Sequence, residues 1–150
     1  MKKLICFVLM CISITLLLSG CNKKENEFDI GGKSDVEITG ENVFLEIKKG
    51  TLNSRGATII LKNESTKDIE YGCSYEIEIK QNGQWHKINV ALNFALIGYE
   101  LKAGETKEIK TNWENGYGSL AKSTYRIIKQ VNYKGEYDKL FKVSKEITIK

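Results

Sequence analysis

Proline is absent from the 150 residues, and histidine occurs once, at position 86. One histidine with few cysteines cannot build an ordinary zinc site without several carboxylates, and no ligand spacing is visible. Nor does it supply the nucleophile, base and orienting group that a hydrolase needs. A strong charge of one sign is missing too. The net charge is +4 and no basic run exceeds two residues, which is too mild to argue for a nucleic-acid partner. Phosphate-cradling loops are lacking, since Gly31-Gly32 leads into no helical pattern. The chain is therefore expected to be non-catalytic, with no cofactor and no metal, and His86 reads as a packed or hydrogen-bonded structural residue. Lysine, isoleucine and asparagine are plentiful instead, a bias that AT-rich coding produces and from which no function follows.

Apolar residues make up 41% and charged residues 28% of the chain, a balance suited to one domain with a real core. A domain of this size buries about two-thirds of its unfolded surface, so it needs no disulfide or metal staple. Long apolar runs are also scarce. The one that occurs, Leu4 to Leu18, is broken only by Ser13 and Thr15 and follows Lys2 and Lys3. As a helix it reaches ~22 Å, short of the ~30 Å hydrocarbon core of a bilayer. A positive start, a short oily middle and small residues at the exit describe an export signal, residues 1–20.

The signal ends in Leu18-Ser19-Gly20-Cys21, which resembles the lipobox of bacterial lipoproteins: a leucine, two small residues and a cysteine. The resemblance implies a diacylglycerol on the Cys21 thiol, cleavage after Gly20, and a protein held at the extracytoplasmic face of a Gram-positive cell membrane. An ordinary secretory signal with a chance cysteine is the alternative. The physical need is plain, because removing the signal removes the long apolar segment. Each buried methylene contributes ~0.8 kcal/mol, so two acyl chains hold durably where one holds marginally. Of four cysteines, Cys6 and Cys11 leave with the signal and Cys21 is acylated. Cys73 remains alone, so the mature chain forms no internal disulfide. It reads as a small buried hydrophobe, with no sequence neighbour to lower its pKa.

Residues 21–34 are polar and end near a double glycine, the composition of a flexible tether with a reach of ~20 Å. Lys23 and Lys24 lie beside the lipid, where each would add at most ~1 kcal/mol against anionic headgroups; two solvated lysines are the plainer reading. Residues 35–150 form the folded part, and there the hydrophobic period is two. Val43, Leu45 and Ile47 alternate with Phe44, Glu46 and Lys48, and Ala57, Ile59 and Leu61 with Thr58, Ile60 and Lys62. Phe141, Val143, Ile147 and Ile149 share a face that Lys145 interrupts, which predicts a bulge or a protected edge. These are half-buried strands. No window shows a helical stripe, and Val90 to Leu96 has room for a short turn of helix at most.

Asn82-Gly83 is the clearest local signal, because both residues accept the positive φ of a type I′ turn. A two-residue loop there sets Gln81 opposite Gln84, Lys80 opposite Trp85, Ile79 opposite His86, Ile77 opposite Ile88 and Tyr75 opposite Val90. Every apolar strand residue but Trp85 then lies on one face, as a correct register requires. Glu76 and Glu78 fall ~6.5–7 Å apart on the other face by strand rise, and read as solvent-facing charge rather than a catalytic pair.

Tyr75 with Ile77, the Asn82-Gly83 turn, Trp85, Leu101 with Gly104-Glu105, Tyr117-Gly118, Leu120 and Tyr125-Arg126 together resemble a bacterial immunoglobulin-like domain across roughly residues 42–150. Such domains usually carry proline where Ala103, Lys122 and Ser123 stand, and the departures cost turn rigidity. The resemblance implies an antiparallel immunoglobulin-like β-sandwich, here of about seven to nine strands, and a binding or spacer role. Tyr125 is placed like a tyrosine corner, whose hydroxyl pins a neighbouring loop.

Candidate binding residues are aromatics that the core does not obviously need: Trp85, Tyr99, Trp113 and Tyr117. The stretch around Trp113 and Tyr117 mixes rings, amides and glycine as recognition loops do; packing at the end of the sandwich is the competing reading. Three roles stay open: binding a protein or other envelope component through loops or a sheet edge, binding wall glycan with Trp113, Tyr117 and Tyr99, or a structural part in an envelope complex. Attachment itself is testable. Cys21→Ser is expected to release the protein into the medium or leave it as precursor, and a variant that still matures and partitions with membranes would rule out lipidation there.

Overall fold

The computed structural model describes residues 28–150, so the signal and position 21 lie outside the described residues. Asn82 and Gly83 take φ values of 50° and 77°, the paired positive values of the expected turn. They join β5 (Glu76–Gln81) to β6 (Gln84–Ile88). The ladder runs from Gln81↔Gln84 to Glu78↔Lys87 in the expected register, and the two further pairs expected, Ile77 with Ile88 and Tyr75 with Val90, lie beyond it.

Among the described residues ten strands form where seven to nine were expected, arranged in two antiparallel sheets. The remaining strands are β1 (Ile30–Lys33), β2 (Val43–Ile47), β3 (Gly56–Asn63), β4 (Ile69–Gly72), β7 (Gly98–Leu101), β8 (Thr106–Asn112), β9 (Ser123–Tyr133) and β10 (Leu140–Ile149), with a short helix α1 (Glu114–Tyr117) before β9. The larger sheet runs β1-β6-β5-β9-β4-β7, with β10 also on β9, and the smaller runs β2-β3-β8. The period-two faces meet between them: Val43, Leu45, Ile59, Leu61, Ile69, Ile77, Ile127 and Val131 are buried together. Lys145 marks no bulge, since β10 pairs β9 without a break from Leu140 to Ile149; it stays exposed on a strand that ends its side of the sheet. Tyr125 is the expected corner, its hydroxyl donating to the Ala121 carbonyl at 2.8 Å.

The tether boundary moves. Residues 30–33, read from sequence as flexible, form β1 on the edge of β6, and Phe28 packs edge-on against Tyr125 with ring centroids 6.2 Å apart. The next residues cross the outer face of the larger sheet and overturn a second expectation. Glu78 is 1% exposed, because Arg126, its cross-strand partner on β9, donates to its Oε2 at 2.6 Å. The Ser34 hydroxyl donates to Oε1 at 2.5 Å, and Arg126 reaches Ser34 Oγ and the Val36 carbonyl. Trp85 lies over the guanidinium, 4.9 Å from ring centroid to Cζ.

Breaking a buried pair leaves a bare charge behind, whereas exposed pairs contribute little. Glu78→Gln is expected to cost about 3–5 kcal/mol, read as a lower urea midpoint. Lys48→Ala, which removes the exposed partner of Glu108, should cost no more than ~1 kcal/mol in the same assay.

Candidate functional site

One edge of β9 is shared by two strands: β5 pairs Tyr125 to Ile128, and β4 pairs Val131 to Tyr133. Lys129 falls in the gap. Between β4 and β5 the chain bends through Cys73, Ser74 and Tyr75 and leaves the edge of β9, where a buried carbonyl without a hydrogen bond would be costly. Lys129, on the inward face with Ile127 and Val131, supplies the donors. Its ammonium donates to the Gly72 carbonyl at 2.5 Å and the Ser74 carbonyl at 3.1 Å, and sits 5.2 Å from the Tyr71 ring centroid. Burial pushes its pKa down to about 8, against a smaller upward pull from the Cys73 thiol.

A cleft of about 430 Å³ opens above this lysine, between the larger sheet and β8. Tyr71, Cys73, Tyr75, Phe94 and Tyr99 line one wall. Tyr99 stacks on Tyr71 at 5.4 Å, with its hydroxyl 3.7 Å from the Cys73 sulfur. Tyr75 donates its hydroxyl to the Asn112 carbonyl at 3.0 Å, bridging the two sheets, and carries Phe94 at 5.1 Å. Phe94 belongs to the β6–β7 connection, which has room for a turn of helix but forms none. Val90, Leu92 and Phe94 alternate instead with exposed Asn89, Ala91 and Asn93, so that stretch is extended and held by every second side chain. A Cβ on Gly116 would meet a terminal methyl of Leu92, so a larger residue inside α1 would make that side chain turn aside. Past Phe94 the loop lifts away, leaving Leu96 fully exposed and Ile97 at 48% beside Tyr99 at 43%.

The four aromatics singled out from sequence do not come together. Tyr99 is on the cleft. Trp113 is completely buried, its indole N–H donating to the Ser54 carbonyl at 2.8 Å. Tyr117 is buried and accepts the Ile77 N–H at 2.8 Å; burial pushes its pKa up to about 12. Both rings close the end of the sandwich and present no face to a ligand. Trp85 sits on the outer face between Arg126 and Lys80, covering the ion pair. Cys73 is half-buried at the cleft rather than sunk in the core. His86 is half-buried, its Nδ1 3.4 Å from the Gly31 carbonyl. Lys129, Tyr71, Tyr75 and Phe94 were not anticipated, although strict alternation through Ile127 and Val131 places Lys129 on the inner face.

Residues 37–148, about three quarters of the chain, match the family model of the bacterial Ig-like domain. The chain belongs to that family. Members are generally non-catalytic structural modules. Comparison with curated proteins finds no match. Where a proline is usual in these domains, this Ig-like domain holds its β7–β8 turn with side chains: Glu105 accepts the Lys102 N–H and Asp68 the Ala103 N–H. Among the described residues of the Ig-like domain, no three His, Cys, Asp or Glu side chains gather as a metal site, and no helix is long and apolar enough to cross a membrane.

The titration of this core has a definite sign. Lys129 drops from 10.5 to about 8 on folding, so between those values the unfolded chain binds more protons and stability rises with pH. Tyr117 and Tyr125 rise from 10.0 to about 12, so above pH ~10 stability falls again. The Tm is expected to climb from pH 8 to about 10 and then decline, and Lys129→Met should abolish the climb while keeping the decline.

Proposed function

We propose that this Ig-like domain is a lipid-anchored, extracytoplasmic and non-catalytic module that binds another protein of the cell envelope through the β7–β8 cleft and its bordering loop. Family membership supports an extracellular bacterial module. The observation that carries the binding reading is the exposed run Leu96, Ile97 and Tyr99 beside a partly apolar cleft. Clustered exposed apolar groups at a concave site mark interaction surfaces, whereas scattered ones do not. Two strands also end their sheets here, β7 and β8, and offer backbone groups to an incoming chain. Wall glycan loses its support, since Trp113 and Tyr117 are buried.

The lipid on Cys21 would act as the anchor. Seven chain steps separate Cys21 from Phe28, so the fold would begin within ~25 Å of the attachment point. Non-catalytic binding fits the two core groups Lys129 and Tyr125, whose pKa values burial shifts and which donate to backbone carbonyls.

A photo-crosslinking residue placed at Leu96 in the intact lipoprotein on cells is expected to trap one discrete envelope protein. The same residue at Ser144, on the far strand β10, should trap none. Equal trapping from both positions, or none from Leu96, would rule out the cleft as the binding face.

A further inference from the structure

The cleft is charged asymmetrically. On β8, Lys107 alternates with Ile109 and Thr111 on the side that faces the larger sheet, and Lys110 lines the same opening. Both are exposed, and neither forms an ion pair among the described residues. Lys129 lies in the floor, bound only to carbonyls and a ring. The single carboxylate on the lining, Glu108, is 2.9 Å from the Lys48 ammonium. Glu100, on neighbouring β7, is likewise taken by Lys134 at 2.7 Å. The opening therefore presents two exposed lysines above a third, buried one, and no uncommitted acid, around a pocket walled by Tyr75, Phe94 and Tyr99.

We propose, resting on the binding reading above, that the cleft receives an extended acidic peptide segment of the partner, an aromatic side chain entering among Tyr75, Phe94 and Tyr99 and carboxylates meeting Lys107 and Lys110. The volume suits side chains rather than a domain: pockets of about 300–1,000 Å³ take small groups and peptide anchors. Aromatic walls favour a ring through edge and stacked contacts. The lysines disfavour a second copy of β8, since like charges across a new strand pair repel, while an acidic chain gains steering and specificity from the same charges.

The test uses the intact purified protein and two synthetic ten-residue peptides. One carries a central tryptophan flanked by glutamates, and the other the same tryptophan flanked by lysines. The fluorescence anisotropy of a dye attached to each peptide would follow binding. The acidic peptide is expected to bind, to weaken as salt rises, and to lose about tenfold in affinity with Lys107→Glu and Lys110→Glu together. Phe94→Ala should weaken it by a similar factor while leaving its salt dependence unchanged. Unaltered Tm in the lysine variant would show that the fold is intact. Equal or tighter binding of the lysine peptide, or no binding of the acidic peptide at millimolar concentration, would overturn the inference. If the acidic peptide fails while crosslinking from Leu96 still traps an envelope protein, the partner's chemistry is wrong and the binding face stands; if both fail, the face falls as well.

Discussion

A single long strand with two partners on one of its edges sets the terms for the rest of this fold. β9 must continue past the end of β5 to meet β4, and in the interval Gly72 and Ser74 have no partner on β9, so their carbonyls take the Lys129 ammonium instead. An apolar residue at 129 would leave those acceptors buried and bare, at a cost comparable to lost hydrogen bonds. A lysine there carries its own desolvation cost, offset by charge-assisted hydrogen bonds and the Tyr71 face. The bend that creates the need also pulls Cys73 and Tyr75 away from the sheet, and that displacement is what opens the cleft. Requirement and site are the same piece of geometry.

The opposite face treats charge differently. Glu78 and Arg126 neutralise each other across neighbouring strands, and Ser34, Val36 and Trp85 roof them over. Lys129 has carbonyls for company and no carboxylate, so its charge is not cancelled as that of Arg126 is by Glu78. One buried cation thus contributes an electrostatic field to the cleft, while the other ties the N-terminal segment to the sheet.

Local chemistry was the part legible from sequence. Asn82-Gly83 fixed its own turn and register, the alternating residues of β2, β3 and β10 faced as their period required, and Tyr125 found its loop. What escaped depends on contacts far apart in the chain. Gly31-Gly32 looks flexible because glycine costs chain entropy, yet Ile30 and Lys33 on either side of it pair with Ile88 and His86 of β6. Nothing near Glu78 shows that Ser34, forty-four residues earlier, covers it. Composition could not decide whether Trp113 and Tyr117 turn in or out; the Ser54 carbonyl and the Ile77 N–H decide that. Lys129 obeys its period, but a charge on an inner face makes sense only once the gap in β9's pairing is known.

The position of β1 has a mechanical meaning. If the proposed lipid at position 21 holds the chain, a pull between the bilayer and a bound partner would enter the domain through Phe28 and the four-residue edge strand beside β6. That strand, with the Ser34 and Val36 contacts behind it, would take the load before β9 or the cleft felt any strain. Tension would then peel away the seam next to the anchor first, lengthening the leash while the gripping end kept its shape.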